Sequence, residues 1–232
     1  MWTLLLLTLA AHGGDFAELK PGLELARLPS PVTSPVGDSE ITVLRIDPAR
    51  WDLEVIAASK VSPGENHTAR EWAELRGLEA TINAGMYETD HSKATFWMKI
   101  GEHLNSKNWQ SKAGSLLVLD GELADKIIDL RCEDGQAAKE AYPTQIQSYR
   151  MLDCAGEPAW KPSTRVWSHA SIGMDGSGRI LFIHARSPWS THDFAKILLQ
   201  LPLDLKRLQY AEGGPEAGCD LSTGLATVTL HS

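Results

Sequence analysis

Ser171-Ile172-Gly173-Met174-Asp175-Gly176-Ser177-Gly178-Arg179-Ile180-Leu181-Phe182-Ile183-His184 reads as two strands about one tight turn. Asp-Gly-Ser-Gly supplies the positive φ and side-chain acceptors that a reversal needs, and apolar residues flank it on both sides. Downstream, Phe194, Ile197, Leu198 and Leu201 recur at i, i+3, i+4 and i+7. That spacing predicts a helix over 190–201, with Ser190 and Asp193 as a capping box. Leu205 to Ala211 returns to strand. A hairpin, a helix and a further strand in this order predict a sheet covered on one face by that helix, an α+β domain.

The same pattern extends outward. Ile41 to Asp47 alternates with period two and reads as a strand, with Asp52 to Ala58 as its hairpin partner. Thr68-Ala69-Arg70-Glu71 is a capping-box pattern opening a short helix. Leu78 to Asn83 reads as a strand. Ser115 to Leu119 runs into Asp120-Gly121, a hairpin signal. Leu225 to Leu230 reads as the closing strand. Residues 15–40 hold Pro21, Pro29, Pro31 and Pro35 and read as an extended N-terminal arm. The expectation is one α+β domain over 41–232, with a mixed, mostly antiparallel sheet and few helices.

Composition narrows the function. A net charge of −8 gives no basic surplus to displace counterions from phosphates, which argues against a nucleic-acid partner. The apolar run at residues 2–11 is too short to span a bilayer and ends in small residues, so 1–14 reads as a signal peptide. The expected location is therefore periplasmic or extracellular. No later segment is long and apolar enough to cross a membrane. Three cysteines allow at most one pair. Cys132 and Cys154 flank one polar region and could pair; three separate thiols is the equal alternative. The eight histidines show no metal-binding spacing, so no cofactor is expected, although a divalent cation stays open. Among the tryptophans, Trp97, Trp109 and Trp189 sit in polar surroundings and are the pocket candidates.

Two short stretches carry chemistry. Tyr210-Ala211-Glu212-Gly213-Gly214-Pro215-Glu216-Ala217 places two carboxylates on a turn that Gly213, Gly214 and Pro215 make rigid. Two acids four residues apart on such a turn can share a pocket, as acid/base work on a glycosidic bond requires. The alternative is a plain turn with two solvated glutamates. Thr81-Ile82-Asn83-Ala84-Gly85-Met86-Tyr87 ends a strand in Asn83, which offers an acceptor and two donors. Gly85 keeps the backbone open to a ligand. Both strands end in glycine-containing motifs, so their ends are expected at one pocket.

The motifs Asn83 to Tyr87, Ser171 to Asp175 and Glu212 to Ala217, in this order, resemble the phosphodiester glycosidase domain family over roughly residues 40–230. That family includes an uncovering enzyme that removes N-acetylglucosamine from mannose phosphate. It also includes exported bacterial proteins linked to exopolysaccharide biosynthesis, and that branch looks closest. Glu212 stands where the enzymes carry aspartate, Glu216 where they carry serine or threonine, and His169 where arginine is frequent.

The resemblance implies an exported hydrolase acting on a sugar-phosphate diester or a related envelope glycan. Such a reaction wants a carboxylate at the anomeric centre and cations on the phosphate. Glu212 is the first candidate, with Glu216 or Asp90 second, and Asn83 to bind the sugar or orient the acid. Arg150 and Arg186 are candidate phosphate clamps. His192 is a candidate proton carrier, and Trp189 a sugar-stacking surface. Gly85, Gly213 and Gly214 complete the substrate-binding set. Two other readings stay open. One is a non-catalytic glycan- or phosphate-binding protein. The other is a metal-dependent hydrolase using Glu212, Glu216, Asp90 and a histidine. Oligomeric state is not legible.

Overall fold

The computed structural model describes residues 15–222 and 227–231. In chain order it contains β1 (Ala17–Lys20), β2 (Leu23–Pro29), β3 (Glu40–Ile46), α1 (Ala58–Val61), α2 (Ala69–Arg76), β4 (Ala80–Ile82), β5 (Met98–Ile100), β6 (His103–Ser106), β7 (Ser115–Leu119) and β8 (Lys126–Asp129). Then come α3 (Gly135–Ala141), β9 (Thr144–Ser148), β10 (Trp167–Asp175), β11 (Ile180–Trp189), α4 (Thr191–Leu198), β12 (Leu205–Gly213), a 3-10 turn at Gly214–Glu216, β13 (Gly218–Ser222) and β14 (Thr227–His231). The α+β class with mostly antiparallel sheets stands as expected.

A six-stranded sheet runs β1-β2-β3-β11-β10-β12. Its centre is the hairpin read first from the sequence, with Ile172 opposite Phe182 and Met174 opposite Ile180. Alternation along β11 assigns its two faces. Leu181, Ile183 and Ala185 pack with Ile41 and Val43 under Phe194, Ile197 and Leu198 of α4. Ile180 and Phe182 point the other way. On that second face lies a five-stranded sheet, β6-β5-β9-β7-β8, whose Leu117, Leu119 and Ile146 meet Ala170, Ile172 and Ile180. Beside it the small sheet β14-β13-β4 packs Leu221 and Ala80 against Leu23, Leu44 and Ile46.

Two local readings change. Asp52 to Ala58 is not the partner of β3, which pairs with β2 and β11 instead. The N-terminal segment is extended, as read, but it is not a loose arm. β1 and β2 form an antiparallel pair that completes the main sheet, because Leu23, Ala26 and Leu28 each bury 98% or more of their surface. The domain therefore begins near residue 17. Residues 1–14, read as a signal peptide, and the start of the closing strand at 225–226 lie outside the described residues.

Cys132 and Cys154 are bonded, with Cα atoms 6.2 Å apart, while Cys219 is a buried free thiol. Burial pushes the Cys219 thiol up to about 12, so it does not ionise near neutrality. Alkylation of the denatured, unreduced protein should label one cysteine, and reduction should expose two more. Three labels before reduction would show that the bridge is absent.

Candidate active site

The two chemistry-bearing stretches converge because β13 returns antiparallel against β4, pairing Cys219 with Ile82 and Asp220 with Thr81. The pairing continues past the strand end, where the Gly218 N–H donates to Asn83 Oδ1 at 2.7 Å. Asn83 thus fastens the segment leaving the Gly-Gly-Pro turn to the segment entering Gly85. A cavity of about 810 Å³ opens where the three sheets meet. Asn83, Gly85, Tyr87, Pro215 and Glu216 line it, as do Arg70, Trp72, His91 and Lys93.

Glu212 reaches this region through an irregularity in β12. Ser171 pairs with Tyr210 but Ala170 pairs with Glu212, so Ala211 is one residue too many. Leu208 and Tyr210 face α4. Without the bulge Glu212 would follow them into the α4 core. The extra residue rephases the strand and aims Glu212 to the face of Ala170 and Ala211, where the other two sheets lie. Glu212 is half-buried. It is set back from the cavity wall, which its neighbours Tyr87 and Glu216 form.

Burial pushes the Glu212 carboxyl up to about 7, and the nearby Glu216 adds to the rise. Backbone N–H groups of Gly213 and Tyr87 offset part of it, the former donating to Glu212 Oε1 at 3.0 Å. Tyr87 senses both acids. Its phenol is held above the usual range by burial first, then by Glu212 and Glu216. Tyr87, Glu212 and Glu216 therefore form one electrostatic group. The Tyr87 side chain was missed as a site residue from sequence, although it closes the quoted motif.

Gly213 and Gly214 shape the turn in different ways. A Cβ on Gly213 would run into the Tyr210 hydroxyl and lie 2.6 Å from Cδ1 of Trp167. Gly214 takes φ +76°, open to glycine at no steric cost. Its carbonyl accepts a hydrogen bond from the Ser168 hydroxyl at 2.8 Å.

Several other candidates lie elsewhere. Arg150 binds both carboxylate oxygens of buried Asp129, at 3.0 and 2.8 Å, and lines a different cavity. Arg186 is exposed on β11 near Asp38. Trp189 is 5% exposed and stacked with Phe194, so it offers no face to a sugar. His192 Nδ1 is bound to the Trp160 carbonyl at 2.7 Å and anchors α4. Asp90 sits on an exposed loop, where its Oδ1 accepts from the Ser92 and Lys93 N–H groups. Trp97 and Trp109 clasp the Lys139 ammonium at 4.3 and 3.7 Å. The physical reason is common to all of these. Polar neighbours in sequence do not report which side chains the fold turns inward.

His169 is fully buried, stacked on Phe194 with centroids 4.3 Å apart, and its Nε2–H donates to the Trp189 carbonyl at 3.0 Å. Burial pushes it down to about 4, so it is neutral at pH 7 and supplies no charge where the resemblance leads one to expect arginine. The cations that do line the main cavity are Arg70 and Lys93, with the His67 and His91 imidazoles beside them. Arg70 lies 3.7 Å from Asp220. Among the described residues, one trio has metal-ligand spacing, Asp129 with Cys132 and Cys154, and those two sulfurs are bonded to each other.

A family model described as phosphodiester glycosidase matches residues 76–223. The catalytic domain of zebrafish N-acetylglucosamine-1-phosphodiester alpha-N-acetylglucosaminidase, auto-inhibited by pro-peptide, superposes with a TM-score of 0.65 at 14% identity, over 95% of this chain and 80% of that one. A hypothetical protein from Synechocystis superposes with a TM-score of 0.67 at 12% identity, over 96% of this chain and 62% of that one. No curated protein matches the chain by sequence.

Proposed function

The chain belongs to the phosphodiester glycosidase family, a family of glycosidase-type hydrolases, and from that membership we propose that it hydrolyses a sugar phosphodiester on the sugar side. The observation that carries this reading is the Glu212 carboxyl, held at about 7 beside Glu216 and Tyr87, the two residues that form the neighbouring wall of the main cavity. A general base works best when its pKa lies near the working pH. Ionised Glu212 takes a proton from water as the water oxygen bonds to the anomeric carbon. The bond from that carbon to the phosphate oxygen breaks, and its electron pair leaves on phosphate. The leaving phosphate monoester needs no proton, so one base suffices. Glu216, at the rim, supports the positive charge that develops on the sugar. Asn83 holds the two walls together through Gly218.

The anionic half of the substrate needs a cation. Lys93 stands in the cavity wall and is the residue best placed for the phosphate, in place of Arg150 and Arg186. Lys93→Ala should raise KM by about tenfold or more while changing kcat little, as expected when a charged hydrogen bond to bound substrate is lost. An unchanged KM in initial-rate kinetics would remove Lys93 from the site. The disulfide supports an oxidising location, in keeping with export to the periplasm or beyond.

The reaction itself is tested with the methyl phosphodiesters of glucose 1-phosphate and N-acetylglucosamine 1-phosphate in ¹⁸O-water. The expected products are free sugar carrying the label and unlabelled methyl phosphate. Label in the phosphate would mean attack at phosphorus, and no turnover with retained binding would favour the binding-protein reading. A parallel run with chelator decides whether a divalent cation takes part.

A further inference from the structure

A second cavity, of about 500 Å³, opens on another part of the molecule and shares no lining residue with the first. Lys112, Arg131, Arg150 and Lys161 line it with Tyr149 and Trp160. In a chain of net charge −8, four cations at one opening with no carboxylate in the lining stand out. Arg150 is neutralised by buried Asp129. Lys112, Arg131 and Lys161 form no ion pair with a carboxylate among the described residues. Three charges therefore remain to face whatever enters. A concave opening lined by one sign of charge concentrates the field and draws in ligands of the opposite sign.

The site is also built. Asp129 fixes the Arg150 guanidinium through two hydrogen bonds. Arg131 donates to the Ser111 carbonyl at 2.9 Å, which aims its side chain. The Cys132–Cys154 bridge ties the segment carrying Arg131 to the one leaving Arg150. Trp160 is held between Tyr149 and Tyr210, at 5.4 and 5.6 Å between centroids, and its indole N–H donates to the Arg150 carbonyl at 3.0 Å. Fixed cations beside half-buried aromatic rings suit a ligand with an anionic group and an apolar ring face.

The geometry points to a second binding site, distinct from the hydrolytic one, for an anionic saccharide: a pyranose carrying phosphate or carboxylate. A protein that cuts sugar phosphodiesters in one cavity would use it to hold a neighbouring anionic unit or a separate acidic glycan. The site stands on its own residues and does not depend on turnover in the first cavity.

Calorimetric titration of the full chain tests it, with glucose 1-phosphate, glucuronate, inorganic phosphate and glucose as probes. Lys112→Ser/Lys161→Ser removes two exposed charges and should leave thermal unfolding unchanged. It should weaken glucose 1-phosphate or glucuronate binding by about tenfold or more, as lost charge-assisted hydrogen bonds do. Salt at 0.5 M should weaken the parent in the same direction. Lys93→Ala, in the first cavity, should leave glucuronate binding unaltered, and any glucose 1-phosphate binding that it removes belongs to the first cavity. If glucuronate binds and glucose 1-phosphate does not, the ligand is a carboxylated glycan; the opposite preference indicates a phosphorylated one. The proposal is overturned if no probe binds, if glucose binds as well as its anionic derivatives, or if binding ignores the double substitution and follows Lys93.

Discussion

Glu212→Gln should lower turnover of a sugar phosphodiester by roughly a hundredfold or more, the usual size of a general acid–base contribution. Substrate binding should change far less, because the glutamine keeps nearly the same shape. The pH profile separates a chemical role from a structural one. With the parent carboxyl at about 7 and the ionised form acting as base, kcat/KM should rise as pH increases through about 7 and level off above it. The residual activity of Glu212→Gln should lack that inflection. A falling limb near 7 in the parent would make Glu212 the acid, and full activity in the variant would remove it from the chemistry.

Stability carries the same signature with the opposite sign. Burial raises the Glu212 carboxyl in the folded state above its unfolded value, so ionising it costs the fold. This group's contribution is fully present below about pH 4.5, and it is lost as pH rises through about 7. Glu212→Gln removes the penalty. The variant should be more stable than the parent at pH 8, on the order of 2 kcal/mol once solvent screening is allowed for, and nearly equal to it at pH 4. Thermal unfolding at the two pH values reads this directly. A loss of stability at pH 8 would show that the carboxylate is an asset to the fold.

The second large effect is expected at Gly213. An added Cβ meets the Tyr210 hydroxyl and the Trp167 ring, and Tyr210 is only 6% exposed within a packed aromatic group. Gly213→Ala should therefore cost about 1–3 kcal/mol, as overpacking does. Relief comes by moving the Tyr210 and Trp167 side chains or the turn that carries Glu212. A displacement near an ångström would lower turnover by about a hundredfold. Calorimetric unfolding and steady-state kinetics should both report the change. A parent-like protein would mean that the turn yields freely and does not position the acid.

Much of this was legible in local sequence because local rules govern it. The Asp175–Gly178 turn forces the β10–β11 hairpin, and the period of Phe194, Ile197 and Leu198 lays α4 on the sheet. Thr68 and Glu71 close their capping box as read, with the Thr68 N–H donating to Glu71 Oε2 at 2.6 Å. Asn83, Gly85 and the two glutamates were visible as motifs for the same reason: turn chemistry and a strand end announce themselves over a few residues.

The sequence by itself determined the antiparallel α+β class, the helix that covers the sheet, and the stretches where chemistry is concentrated. Only the tertiary structure decided which polar groups meet. Arg150, Arg186, Trp189 and His192 carry suitable side chains, but strand pairing and core packing turn them away from the main cavity. Lys93 and Tyr87 enter the site because the segment after β4 folds back over it, Tyr87 pairing with Ala94. Glu212 reaches the same region because Ala211 is one residue more than β10 can pair. A bulge leaves no local mark in composition or period. It shows only in the register of β12 against β10, at the edge of the sheet where bulges concentrate, and so the aim of the central carboxylate belongs to the fold and not to the motif.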